Sequence, residues 1–176
     1  ENRIRLDATI ATPRRMLRNL PELPALGLNF RLPRELANVR YYGLGPQENE
    51  TDRCAGALLG IYQTTAEKNL TPYLKPQYCG NRTGVRWLEL SDGAGRTLRI
   101  SKVDESLMVS VLPYSQAELT SALHRQELPD PAYTWLDVAA ARFGVGGDDT
   151  WGAPVLPAYR LKATETRKLS FVLEAL

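Results

Sequence analysis

The chain has 176 residues, with 22 basic and 20 acidic side chains, a net charge of +2, and 43% hydrophobic against 24% charged residues. A chain of that length buries about 70% of its unfolded surface, and the composition is that of an ordinary globular protein rather than a disordered or fibrous one. The balance of charge argues against nucleic acid or an anionic membrane as main partner, and no apolar run approaches the ~18 residues of a membrane span.

Residues 3–12 alternate, with Ile4, Leu6, Ala8 and Ile10 on one side and Arg5, Asp7, Thr9 and Ala11 on the other, which predicts a half-buried strand. A proline-bearing connection with Pro21 and Pro24 follows. Residues 26–32 alternate again until Pro33 stops them. Residues 39–42 read as a short aromatic strand. Gly43-Leu44-Gly45-Pro46-Gln47-Glu48-Asn49 is predicted as a loop, leading into the polar Glu50, Thr51, Asp52 and Arg53. Residues 54–62 are apolar without a clear period, so their type stays open. Thr71-Pro72 and Lys75-Pro76 predict extended or turn-like chain, and Gly80-Asn81-Arg82 a further turn.

Strands over 85–90 and 97–103 are predicted to form a β-hairpin about Asp92-Gly93-Ala94-Gly95. Another strand follows over 107–112. The best helix candidate is 115–123. Ser115 and Glu118 fit a capping box, and Leu119, Ala122 and Leu123 form its apolar stripe. His124 falls near its C-terminus, where the helix dipole favours a cation. Further strands are predicted over 133–139, 156–163 and 168–173. Many short strands with glycine and proline turns and one short helix indicate an all-β sandwich or barrel. No internal boundary or repeat is visible, so a single domain over 1–176 is expected.

Between the last strands lies Gly144-Val145-Gly146-Gly147-Asp148-Asp149-Thr150-Trp151-Gly152, closed by Pro154. Its glycines predict a shaped loop, and its aspartates predict side-chain bonds to neighbouring backbone N–H groups. Trp151 reads equally as a core anchor or as a flat apolar platform for a sugar face.

Catalytic groups are scarce. Asp148 and Asp149 are adjacent, so their side chains diverge, whereas a glycosidase needs two carboxyls facing across the bond. Glu48, Glu50 and Asp52 alternate, which on an extended segment puts them on one face, a weak signal for a dyad. Asp148 and Asp149 offer oxygens to Ca²⁺ but lack EF-hand spacing. His124 is a candidate base, with a structural role the simpler reading. Cys54 and Cys79 form no disulfide framework, and whether they are thiols or one bridge stays open. Asn49, Asn69 and Asn81 each begin an Asn-x-Thr sequon. No signal peptide is visible. The start at Glu1 reads as that of an excised piece of a longer protein, although processing would give the same start. A cytoplasmic location is expected, with a periplasmic or secreted one open.

Taken together, Leu32-Pro33-Arg34, Gly43-Leu44-Gly45-Pro46-Gln47-Glu48-Asn49 with Asp52-Arg53, Thr71-Pro72-Tyr73, Lys75-Pro76-Gln77, Gly80-Asn81-Arg82, Arg86-Trp87, His124 and Gly146-Gly147-Asp148-Asp149-Thr150-Trp151 form an ordered series. It closely resembles the C-terminal domain of glycoside hydrolase family 2 β-galactosidases, which is the small chain in two-subunit members. The likeness runs from about residue 4 to 173. It implies a β-supersandwich of the galactose-mutarotase-like kind. It also implies retaining hydrolysis of terminal β-D-galactosides on a separate (β/α)₈ barrel, which carries the catalytic glutamates and the Mg²⁺ and Na⁺ sites. Trp151 would then be substrate-binding, reaching into the barrel's site, with no catalytic residue, metal or cofactor in this fragment. The implied partners are a β-galactoside and the barrel, on the same or a partner chain; a homo-oligomer stays open.

Two departures matter. Members commonly have tyrosine where Glu50 stands and glutamate where Tyr78 stands, with Cys79 following. The other readings are a free-standing carbohydrate-binding module and a purely structural assembly domain.

Overall fold

The structure is a computed structural model that describes residues 2–13 and 20–176. The described strands are β1 (Arg3–Ile10), β2 (Ala25–Pro33), β3 (Asn38–Gly45), β4 (Leu58–Thr65), β5 (Arg82–Val85), β6 (Trp87–Ser91), β7 (Thr97–Lys102), β8 (Leu107–Leu112), β9 (Tyr133–Arg142) and β10 (Arg167–Ala175), with one helix, α1 (Gln116–Ser121). They form a six-stranded antiparallel sheet in the order β1-β10-β7-β6-β3-β4 and a four-stranded one in the order β2-β9-β8-β5. The expected all-β sandwich is what forms. Among the described residues no helix is long and apolar enough to cross a membrane.

Period-two alternation builds the core. Val39 and Tyr41 of β3, Leu88 and Leu90 of β6, Ile100 of β7 and Phe171 of β10 point inward from the large sheet. Val109 and Val111 of β8 and Leu136 and Val138 of β9 meet them from the small sheet. The ring of Phe30 on β2 meets that of Phe171 edge-on, 6.1 Å between centroids, and ties the two layers together.

The β6–β7 hairpin closes as expected, with Trp87 opposite Ser101 and Ser91 opposite Thr97. Val85, however, belongs to β5 in the other sheet, so the chain changes layers at Arg86. The predicted loop at residues 43–49 starts late, because Gly43, Leu44 and Gly45 still pair with β4. The open stretch at 54–62 divides into a turn, in which Ala57 N–H donates to the Cys54 carbonyl, and the start of β4.

The capping box is present: Ser115 accepts from the Glu118 N–H, and Glu118 accepts from the Ser115 N–H. The helix ends at Ser121, earlier than predicted, because Ala122 is already extended. His124 therefore does not cap this helix. It starts a 3₁₀ turn over Arg125–Glu127, with Nδ1 2.9 Å from the Glu127 carboxylate. The strand predicted over 156–163 is also corrected. Pro157 removes a donor and opens a 3₁₀ turn, Pro157–Tyr159; Leu161 then plugs a small apolar cluster with Leu26 and Ala141. Part of the predicted connection before Pro21 lies outside the described residues.

Candidate functional site

One end of the sandwich is built from loops, and they converge on the segment that follows β3. Asn49 is buried and works as a bracket. Its Nδ2 donates to the carbonyls of Leu44 and Gln47, and its Oδ1 accepts from the N–H and hydroxyl of Thr83. Glu48 ties three further segments together. It accepts from the Thr71 hydroxyl at 2.7 Å, the Tyr73 hydroxyl at 2.8 Å, the Gly80 N–H at 2.8 Å and the Arg53 guanidinium at 2.9 Å. Burial alone would raise the Glu48 carboxyl, but these donors outweigh it and hold the pKa below the ordinary value.

Glu50 is only 3% exposed. It accepts from Asn81 Nδ2. Burial pushes its pKa up to about 7, against the pull of Tyr78, Arg142 and Arg53. Tyr78 shares a cavity of about 280 Å³ with it, and its hydroxyl is buried without a hydrogen bond of ordinary geometry. The Arg142 guanidinium lies 4.6 Å from the Tyr78 ring centroid and pairs with Asp137. Glu50 and Tyr78, the two departures noted above, are thus neighbours in space, lining one cavity.

Asp52 has a third task. Its Oδ1 accepts from the Val145 N–H at 3.0 Å and its Oδ2 from the Gly146 N–H at 2.8 Å. A carboxylate 93 positions away therefore holds the start of the 144–152 loop. A Cβ at residue 144 would run into the Asp52 carboxylate and the Val155 side chain, so a larger residue there would displace the carboxylate that holds the loop. Gly146 takes φ +65°, a left-handed conformation that side chains resist. The Gly144 N–H donates to the Tyr159 carbonyl. Further on, Asp149 Oδ1 accepts from the N–H groups of Trp151 and Ala153, which lowers its pKa. This is the side-chain-to-backbone bonding expected of the aspartate pair, made by Asp149.

The result is a braced loop with an unburied ring: Trp151 is 90% exposed. The core-anchor reading does not hold for this chain. Trp87 and Trp135, by contrast, sit against the sheets, Trp87 beside Tyr42 and Trp135 beside Tyr133.

Glu48 and Glu50 line one cavity, while Asp52 and Asp149 are taken up by backbone N–H groups of the 144–152 loop and the residue just after it. Among the described residues no three of His, Cys, Asp and Glu converge on a point that could hold a metal ion. Cys54 and Cys79 are free thiols, and burial raises the pKa of Cys79. The sequon residues Asn49, Asn69 and Asn81 are all buried and bonded internally, so none presents an amide for a glycan. The bracketing work of Asn49 and Asp52 was not legible in the sequence, which shows only polar residues in a loop.

The class that the fold and the loop define is an antiparallel β-sandwich with one exposed tryptophan on a braced, glycine-rich loop. The comparisons narrow the class: the profile of the beta-galactosidase small chain matches residues 1–173, and the chain belongs to that family. It is 47% identical over 154 residues, 88% of the chain, to a beta-galactosidase of Lactobacillus delbrueckii subsp. bulgaricus, and 43% identical over 158 residues to beta-galactosidase BgaC of Bifidobacterium adolescentis. It spans 15% of the length of each. A beta-galactosidase small subunit of Latilactobacillus sakei is 38% identical over 162 residues, half of that protein's length.

Proposed function

We propose that this chain is the C-terminal part of a retaining β-galactosidase and that it completes the sugar site of a separate catalytic barrel by supplying Trp151. The acids of the reaction then belong to the barrel, and the chain alone does not hydrolyse galactosides. Mg²⁺ and Na⁺ belong to the barrel in this reading, and no step involving them runs through the residues described here. The carrying observation is the bare indole on a loop held at its start by Asp52 and at its tip by Asp149. Bracing lowers the entropy lost when a ligand docks against the ring. The apolar C–H face of a galactoside then lies on the indole while the sugar's hydroxyls remain free for the barrel.

The test is Trp151→Ala in the assembled enzyme. An aromatic contact of about 1–1.5 kcal/mol predicts KM raised by about tenfold. The fold itself should lose less than about 0.5 kcal/mol, because nothing packs on an exposed ring. An unchanged KM would sink the platform role. Turnover of a chromogenic β-galactoside that co-purified with the isolated chain would sink the division of labour.

A further inference from the structure

The edge strand β4 has features that neither the sandwich nor the sugar platform accounts for. It closes one side of the six-stranded sheet, so among the described residues one row of its backbone N–H and C=O groups has no strand partner. Edges of soluble sheets are usually blunted by charge or proline. The opposite edge, β1, carries Arg3, Arg5 and Asp7, but β4 reads Leu-Leu-Gly-Ile-Tyr-Gln-Thr-Thr, with neither charge nor proline. Leu58 is 72% and Ile61 56% exposed. Ile61 lies opposite Tyr42, and Tyr42 opposite Trp87, so an apolar row runs outward across three strands.

This edge is continuous with the loop end. The connection between β3 and β4 contains Asp52, which holds the Trp151 loop, and Leu58 pairs with Gly45, where β3 enters the bracketed segment. Leu74, almost fully exposed, follows Tyr73, which is bonded to Glu48. We infer that the β4 edge, together with the loop end around Asp52, is the face on which the catalytic portion of a β-galactosidase docks. This rests on the proposed function. The occupant follows from one observation: the chain covers 15% of the length of the matched beta-galactosidases, so most of such a protein lies outside it.

The experiment is thiol labelling of the assembled β-galactosidase in a Cys54→Ser background, comparing Ile61→Cys with Thr120→Cys on the exposed face of α1. A maleimide should modify position 61 about tenfold more slowly than position 120, the ratio expected of a modestly occluded site. Equal rates overturn the inference. Slow labelling that recovers on dilution, while the catalytic portion stays bound, assigns the edge to a second copy and also overturns it. Trp151→Ala is scored separately by KM: an unchanged KM with position 61 still protected sinks the platform reading alone.

Discussion

The sandwich interior and the loop end use opposite means of holding shape. Between the sheets, Leu88, Leu136, Val138 and Phe171 interlock with no polar atom to satisfy. At the loop end, Glu48, Asn49, Glu50 and Asp52 each bind groups from distant parts of the chain. Apolar packing is non-directional and tolerates approximate shape. A buried acceptor tolerates little, because a donor left without it bears the full desolvation cost. The interior therefore sets whether the chain folds, and the loop end sets where one ring is held.

The sharpest test separates those two readouts. Leu136→Ala leaves a cavity and should cost about 3–5 kcal/mol, measured by denaturant unfolding, while KM of the surviving folded enzyme stays as it was. A changed KM would blur the division between the regions.

The next effect comes from pH. The folded Glu50 carboxyl titrates at about 7, above the ordinary 4.5. A raised folded pKa means its stability contribution is complete below about pH 4.5 and fades as pH climbs through about 7. Between those values the chain should lose up to about 3 kcal/mol from this group, and Glu50→Gln should flatten that slope in unfolding series run across the range. A slope that persists unchanged would assign it to other groups.

Smaller still is the coupling between Glu50 and Tyr78. Each of Glu50→Tyr and Tyr78→Glu alone crowds like beside like and should destabilise. The double exchange should recover about 1–2 kcal/mol of the summed loss, the scale of coupling between touching residues. Strict additivity would show that the two side chains act independently.

The alternation of residues 3–12 and the hairpin about Asp92 were legible because period two and turn chemistry are local. So was the capping box, which lies within four residues. What failed was decided at long range. Residues 156–163 carry enough apolar side chains for a strand, yet Pro157 and the pairing of other segments exclude them from both sheets. Gly43-Leu44-Gly45 looks like a loop by composition, but β4 supplies it with partners. The exposed state of Trp151 was one of two readings left open by the residues and was favoured by the family likeness. The bond from Asp52 to the loop joins residues too distant in the chain for any local pattern to reveal.

That same bond makes the ring's posture a report on the whole chain. Because a residue between β3 and β4 restrains a loop that follows β9, the indole cannot be set correctly until the intervening strands are in place. A truncated or half-assembled copy would display a loose tryptophan and serve its partner poorly. Under the proposed platform role, damage anywhere in the turn at Asp52 would register as weakened sugar affinity, without any altered atom touching the sugar.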